Sequence, residues 1–397
     1  VYGIEIAGGS YASIYGNCDI YGNSQDGIMV GGQYNTIDGC HVHENGGRGI
    51  SVDSTYYTSS DNQVISCEVF YNDREGIYIL NSPNNRIENN NGASVGIYDN
   101  MSSGISITGN DALNNDVTDN MIYNTAGGNT QNIGIEIVSA GSGIDVWKNQ
   151  VEDHPQYGVY VSDTDVGIKK NQIANNYVGI EIGIINAVSA FPTVWNNLIY
   201  GTGSQTDKGV HVNAMMGNNV DNSLTIYHNT IDGAVTDGIY IESDTMTTVA
   251  PSIYFNIISN YGAYGINSPD DNPLVGYNNV YSPGAVGAYE GAVDGGGGIS
   301  ENPDYNDIAS FDFHLKNTSL CVDTIATSAV ETDLDNSVRP QDIVGIDNGG
   351  TWDMGCYEHL PIAFTDTDAD GISDTVENAS LCLDAFNPDT DGDGLAD

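Results

Sequence analysis

Acidic residues near the C-terminal end of the sequence have the spacing of calcium ligands. One twelve-residue loop offers an oxygen at every ligand position of such a site: Asp366, Asp368, Asp370, Ile372 through its backbone carbonyl, Asp374 and Glu377. Gly371 stands where this loop needs its sharp turn. A second loop repeats the pattern up to the last residue of the sequence, with Asp389, Asp391, Asp393, Leu395 and Asp397. The spacing predicts Ca²⁺ as a cofactor of this segment.

A second group of candidates lies in a recurring phrase, Gly-Ile/Val-x-Ile/Val. Its x positions are Glu5, Met29, Ser51, Tyr78, Ser106, Glu136, Tyr160, Glu181, His211, Tyr240 and Asn267. In strands that bury the aliphatic residues, all of these side chains point outward and form one external column. Rings that stack on sugar faces and groups that bond sugar hydroxyls are combined at Tyr78, Glu136, Tyr160, Glu181, His211 and Tyr240. We therefore predict a carbohydrate-binding strip.

The same column holds the candidates for catalysis, which are Glu136, Glu181 and His211. Two coils separate the two glutamates, which is about 9.6 Å between backbones and just beyond the range of an inverting glycosidase. A plainer explanation stays open, because every outward position must hold some residue and tyrosine occurs 25 times in this chain. The sequence therefore leaves catalysis undecided.

A second phrase, with Asn or Cys between two aliphatic residues, indicates the elements that position these candidates. Its central residue recurs at Cys18, Cys40, Cys67, Asn90, Asn120, Asn149, Asn171, Asn197, Asn229, Asn256 and Asn278, at steps of 22 to 32 residues. Repeats of that size, built from short strands, are typical of a solenoid. We predict an all-β, right-handed parallel β-helix of about eleven coils over residues 1–298, roughly 50 Å long. Each inward Asn would bond the backbone of its turn and the Asn of the next coil, while the three cysteines would be stacked thiols.

These two phrases resemble the pectin-lyase-like family of parallel β-helix proteins over about residues 1–298. That family includes polysaccharide lyases, glycosidases, adhesins and structural spikes, so the resemblance implies the fold and not the activity. The residue signatures of polygalacturonases are missing. A lyase needs clustered basic residues to neutralise a uronate, and the sequence offers only Lys169–Lys170 and an isolated Arg74.

Composition excludes some partners. Nine basic residues stand against 54 acidic ones, which gives a formal net charge of −45. Such a surface repels nucleic acid and anionic lipid and suits divalent cations or high salt. No apolar run has the length of a membrane span. The chain opens on Val1, inside a coil, so we expect a fragment of a longer precursor.

The repeat stops after Val280, and the Gly-rich stretch 282–298 is expected to be a flexible exit from the last coil. Residues 299–360 resemble the C-terminal module of bacterial surface β-helix proteins of the choice-of-anchor type, and we expect a cap over the open end of the sheet. In that pattern the positions of Cys321 and Cys356 usually hold small residues. Two cysteines there imply a disulfide between adjoining segments, with Cys382 as a competing partner.

The tail, residues 361–397, resembles thrombospondin type 3 repeats, with Asn387–Gly394 as the closest stretch. This resemblance implies a secreted or cell-surface protein. Taken together, the sequence favours an extracellular, calcium-stabilised β-helix with a structural or adhesive role and a polysaccharide or cell-surface glycan as its partner. Two alternatives remain open: a polysaccharide lyase or glycoside hydrolase that uses the external column, and self-assembly into a surface filament or layer.

Overall fold

The computed structural model describes residues 1–92, 96–125, 128, 130–184, 192–202, 206–214, 224–243, 250–270, 273–343 and 348–360. In this part of the chain, short strands follow one another around a coil and pair in parallel with the equivalent strands of the neighbouring coils. The result is three parallel sheets of 12, 11 and 11 strands, which we call sheets A, B and C. The predicted all-β parallel solenoid is confirmed.

The strand bounds are as follows. Sheet A contains Ile4–Ser10, Ile28–Gln33, Ile50–Asp53, Ile77–Leu80, Ser103–Thr108, Ile133–Val138, Tyr157–Ser162, Val178–Ile184, Lys208–Ala214, Asp237–Ser243, Tyr264–Asn267 and Gly287–Glu290. Sheet B contains Ser13–Tyr15, Thr36–Asp38, Gln63–Ile65, Arg86–Glu88, Asp116–Thr118, Ile144–Trp147, Val166–Lys169, Thr193–Trp195, Thr225–Tyr227, Ser252–Tyr254 and Leu274–Gly276. Sheet C contains Asp19–Tyr21, His41–His43, Glu68–Phe70, Ile97–Tyr98, Met121–Tyr123, Gln150–Glu152, Gln172–Ala174, Leu198–Tyr200, Thr230–Asp232, Ile257–Ser259 and Asn279–Tyr281.

The core is a column of aliphatic side chains that fills the inside of the coils. Ile135 and Ile137 of sheet A are fully buried there, and so are Val146 of sheet B and Val151 of sheet C. Alternation along each strand sends the intervening side chains outward. Glycine is needed where the coil enters sheet A, because a Cβ on Gly134 would lie 2.6 Å from the carbonyl oxygen of Gly158 in the next coil.

The predicted Asn ladder is confirmed as a continuous column of hydrogen bonds. Asn149 donates from its side-chain amide to Asn171 Oδ1 at 3.0 Å, and Asn171 donates to Asn197 Oδ1 at 2.9 Å. The same bond links Asn90, Asn120, Asn149, Asn171, Asn197, Asn229, Asn256 and Asn278 in sequence. Upstream, Cys18, Cys40 and Cys67 continue the repeat as free thiols, as predicted.

Two further amide ladders were not predicted. One joins Asn23, Asn45, Asn72, Asn100 and Gln131, and the other joins Asn35, Asn62, Asn85 and Asn115. All but Asn23 are buried. Buried turns contain backbone groups that need partners, and these amides supply them at the other two corners of the coil.

The Gly-rich stretch 282–298 does not form the flexible exit that we expected. Strand Gly287–Glu290 pairs in parallel with Tyr264–Asn267 and extends sheet A. Isolated parallel bridges join Val275 to Asp294 and Asn279 to Ile299. The stretch therefore follows the course of another coil. Although it is rich in glycine, its backbone pairs with that of the neighbouring coil.

Residues 299–360 form a small module with its own core. Its antiparallel strands, Tyr305–Asp307 and Asp312–Leu315, flank a 3-10 helix at Ile308–Ser310. Apolar residues of the module pack with side chains of sheet C and the adjoining corner in one cluster that contains Phe313, Leu315, Cys321, Val322, Ile325, Met354, Leu198 and Ile257. The module thus covers a flank of the solenoid.

Polar contacts define how far along the flank this module extends. Lys170 donates to Thr332 Oγ1 at 2.6 Å, and Asn196 donates to the Thr332 carbonyl at 2.7 Å. Further along, Gly355 N–H bonds the Phe255 carbonyl at 2.8 Å. The expectation of a lid over the open end needs correction, because these contacts run along the side of several coils.

The predicted disulfide between Cys321 and Cys356 is not formed, and both residues are buried free thiols. The segments do adjoin, but Cys321 O accepts a hydrogen bond from Met354 N, two residues short of Cys356. Each cysteine instead contacts a coil: Asn279 donates to Cys321 Sγ at 3.0 Å, and the Cys356 N–H donates to Thr230 Oγ1 at 3.1 Å. Burial raises the pKa of both thiols to about 12.

Candidate functional site

The predicted column has the expected register along sheet A, although Met29, Ser51, Ser106 and Glu181 are buried and not external. Glu136 pairs with Tyr160, Tyr160 with Glu181, Glu181 with His211 and His211 with Tyr240. On either side the register continues through Glu5, Met29, Ser51, Tyr78 and Ser106, and through Asn267. The alternation of aliphatic and other residues was therefore a sufficient guide to the position of each candidate.

Tyr78 is set apart from the other predicted sugar-binding residues. Ser106 and Glu136 separate it from Tyr160 along the column. The guanidinium carbon of Arg48 lies 3.7 Å from the centre of the Tyr78 ring, and Arg48 is itself paired with Glu75 at 2.8 Å. A cation therefore covers one face of the Tyr78 ring, and Lys208 likewise lies 5.4 Å from the centre of the Tyr240 ring.

The centre of the column is an acid–imidazole pair. Glu181 is only 4% exposed, and its Oε2 lies 2.7 Å from His211 Nδ1. The other ring nitrogen, Nε2, is buried and has no hydrogen-bond partner in the described part of the chain, and it lies 3.7 Å from Glu242 Oε2. In the neutral tautomer whose Nδ1–H donates to Glu181, Nε2 is a hydrogen-bond acceptor.

Aromatic rings flank this pair on both sides. The Tyr240 ring stacks on His211 at 5.2 Å between centroids, and Tyr160 stacks on Tyr157 at the same separation. Burial raises the pKa of Tyr160 and of Tyr240. Their phenols therefore remain neutral hydroxyl groups, which can donate hydrogen bonds as well as accept them.

A second outward column, two residues further along the same strands, was missed by the sequence analysis. Ser162 pairs with Gly183, Gly183 with Asn213, and Asn213 with Glu242. A Cβ on Gly183 would lie 3.4 Å from the Tyr160 hydroxyl and 3.5 Å from Ser162 Oγ. The missing side chain thus leaves a notch beside Glu181. The sequence did contain a signal for this column, because the alternation of inward and outward residues continues two residues beyond the Gly-Ile/Val-x-Ile/Val phrase.

Two polar atoms of the neighbouring strand, Asn213 Oδ1 and His211 Nε2, lie near this notch. Both are buried, and neither has a hydrogen-bond partner among the described residues. Glu136 lies at the other side of Tyr160, and its Oε2 accepts a bond from Ser103 Oγ at 2.8 Å. Since a buried polar group without a partner costs free energy, these two atoms, Asn213 Oδ1 and His211 Nε2, are candidate hydrogen-bonding points for a polar ligand.

The predicted calcium loops cannot be assessed in the same way. Asp366, Asp368, Asp370, Ile372, Asp374 and Glu377, with Asp389, Asp391, Asp393, Leu395 and Asp397, lie outside the described residues. Within the described ranges, no group of three or more His, Cys, Asp or Glu residues is arranged to hold a metal ion. Calcium therefore stays a prediction for the tail.

Comparison with known proteins identifies the family of the coils. A family model described as a right-handed beta helix region matches residues 1–146 and 57–224, which together span more than half of the chain. The chain belongs to the right-handed β-helix family. The comparison with curated proteins gave no match. Within the described ranges of this β-helix protein, no helix has the length and apolarity to cross a membrane.

Two solved structures are similar to this β-helix chain. Pectate lyase Pel9A is 13% identical, with 89% of this chain and 87% of that chain covered and a TM-score of 0.48. The catalytic domain of a GH87 α-1,3-glucanase, in complex with nigerose, is also 13% identical, with 73% and 62% covered and a TM-score of 0.20. At these values neither likeness carries an argument about activity, so function must be argued from the site.

Proposed function

We propose that this β-helix protein binds carbohydrate in a structural or adhesive role, through the part of sheet A between Glu136 and Tyr240. The proposal rests on His211 Nε2 and Asn213 Oδ1 near the Gly183 notch, which have no hydrogen-bond partner among the residues that the structure describes. A saccharide offers what this surface needs, because its hydroxyls both donate and accept hydrogen bonds and its apolar faces suit the adjoining rings.

Charge narrows the class of glycan. Glu136, Glu181 and Glu242 all lie along this surface, and Lys208, a basic side chain beside it, is already paired with Asp207 at 2.5 Å. Negative charge repels uronates and sulfate esters unless a cation bridges them. We therefore infer a neutral, hydroxyl-rich polysaccharide as the ligand of sheet A.

The binding proposal is tested with a panel of neutral and acidic polysaccharides by affinity electrophoresis. Tyr160→Ala and Tyr240→Ala should each weaken binding of the neutral ligand about 2- to 10-fold, as expected for one lost ring contact of about 0.5–1.5 kcal/mol. Tyr254→Ala is the matched control, since Tyr254 points outward from sheet B. Equal affinities for all three variants would refute the proposal.

A second function, polysaccharide cleavage, is favoured by the Glu181–His211 pair. Glu181 fixes the imidazole through Nδ1, so that Nε2 could take a proton from water or from a sugar carbon as a general base. Reducing-end or unsaturated products from the same polysaccharides would establish this activity. Loss of products in His211→Gln with binding retained would assign the role, whereas binding without products in the wild-type protein would restrict the site to adhesion.

Calcium binding and an extracellular location complete the proposal. Both rest on the residue spacing of the tail and on its resemblance to thrombospondin type 3 repeats. A surface of net charge −45 suits a medium that contains divalent cations. Secretion is tested by locating the protein in culture medium, on the cell surface or inside the cell with an antibody; an exclusively intracellular signal would contradict it.

A further inference from the structure

Basic residues are scarce in this chain, yet three of the nine lie close together, at Lys148, Lys169 and Lys170. Lys148 and Lys170 occupy the same corner of successive coils, immediately before Asn149 and Asn171 of the ladder. Both have a left-handed backbone, with φ of 59° and 55°. The repeat therefore places two amines next to each other on the outside of one corner, about 4.8 Å apart at the backbone.

These two amines line a cleft of about 310 Å³ at the edge where the C-terminal module meets the coils. The side chains of Gln150 and Gln172 form its floor on sheet C, and Asn336 approaches from the module. This volume falls near the lower limit for small-molecule sites. The lining offers ammonium and amide donors in one concave surface.

The lysines of the cleft differ from Lys169 in their pairing. Lys169 Nζ lies 2.8 Å from Asp145 Oδ2. In the described part of the chain, by contrast, neither Lys148 nor Lys170 has a carboxylate within 4.0 Å. Lys170 donates to Thr332 and Asn336 of the module, and the Lys148 amine lies over the Trp147 ring at 4.8 Å.

Two carboxylates, Asp119 and Asp335, also line the cleft beside the two lysines. Asp335 is held by His314 Nε2 at 2.8 Å, and Asp119 accepts from Thr118 Oγ1 at 3.1 Å. Burial lowers the pKa of Lys170, the Asp333 carboxylate opposes this shift, and the nearby cations Lys148, Arg339 and Lys169 add to it. Three other basic side chains thus lie near this amine, although the chain as a whole is strongly acidic.

We propose that this cleft is a second, separate binding site, which takes the anionic group of an acidic saccharide, either a carboxylate or a sulfate ester. The anion would lie between Lys148 and Lys170, while Gln172 bonds a neighbouring hydroxyl; the Gln150 amide already donates to Glu152. The acidic remainder of the surface does not prevent binding, because salt screens charges more than about 8–10 Å away. The site is independent of sheet A and faces another side of the coil.

Two oligosaccharide probes distinguish the sources of the anion: an oligogalacturonate for carboxylate and a sulfated dextran oligosaccharide for sulfate ester, with neutral dextran as the reference. The affinity of the preferred probe should fall about tenfold or more in Lys148→Gln and should decrease as salt is raised. Lys316→Gln is the matched control, because it removes the same charge from the module outside the cleft. It should change the affinity less than twofold.

Each outcome decides between these sources or overturns the site. Binding of one probe alone assigns the carboxylate or the sulfate ester, and binding of both assigns the shared anion chemistry. Equal binding of neutral dextran, unchanged affinity in Lys148→Gln, or equal losses in Lys148→Gln and Lys316→Gln would each overturn the proposal. Tyr160→Ala should leave anion binding intact, so failure of the sheet A proposal would be recognised separately.

Discussion

Replacing Asn171 by Leu tests the main ladder at its centre. Asn171 is fully buried. Its Oδ1 accepts from the Asn149 backbone N–H at 2.9 Å, and its amide donates to the Val146 carbonyl at 2.9 Å. Leucine has a similar volume and replaces neither bond. Two buried backbone groups then lose these partners, at about 1–3 kcal/mol each, so the free energy of unfolding should fall by about 2–6 kcal/mol.

The assay follows urea unfolding through tryptophan fluorescence, since Trp147 and Trp195 lie on the coils on either side of Asn171. Trp352, in the module, is replaced by Phe in every sample. Gln172→Leu is the matched control, because it makes the same amide-to-leucine change at an exposed neighbouring residue and should cost less than about 0.5 kcal/mol. Equal midpoints for the two variants would refute the structural role of the ladder.

Three further predictions concern the module and the tail. Burial raises the pKa of Glu358 to about 7 and lowers that of His228 well below its usual range; below about pH 6.5 the resulting proton-linked effects on stability oppose each other. As the pH falls from 7 to 5, protonation of Glu358 stabilises the folded module, whereas protonation of His228 destabilises it. His228→Gln removes the second effect, so lowering the pH over this range should raise the unfolding midpoint of the module relative to that of the wild type. Parallel pH profiles of the two proteins would contradict this. Cys321 and Cys356 should be alkylated only in denaturant, and an unreduced cross-linked peptide in mass spectrometry would show otherwise. Chelation of calcium should make residues 361–397 protease-sensitive while the coils stay intact, with Asp370→Ala giving the same result at limiting calcium; equal resistance in chelator would exclude the loop as the site.

The coils were predictable because two short-range rules fix them. Strand alternation determines which residues face outward, as at Glu181 and His211, and the recurring Asn between aliphatic residues marks one corner. The corner that holds Asn45 and Asn72 was missed although a signal was present, since each of them lies three positions after a buried valine and four before a glycine of the phrase. Asn213 was missed because its position beyond the phrase holds no constant residue type.

The arrangement of the module could not be predicted from local patterns. Arg339 bonds His228 across 111 residues of sequence, and Cys356 bonds Thr230 across 126. Such contacts depend on which surfaces meet, and neither strand alternation nor turn composition encodes that choice. The expected disulfide was wrong for this reason: two cysteines in adjoining segments do not specify the register between the segments.

Packing of the module along the flank has a consequence for how the solenoid comes apart. Coils that touch only their neighbours open one after another from an end, and their protection against hydrogen exchange falls gradually. The module, however, contacts Lys170, Asn196, His228 and Phe255 on successive coils. None of these coils can open alone without first releasing the module. The C-terminal half of the solenoid should thus exchange its amide protons as one block, whereas the coils before Lys148 fray individually.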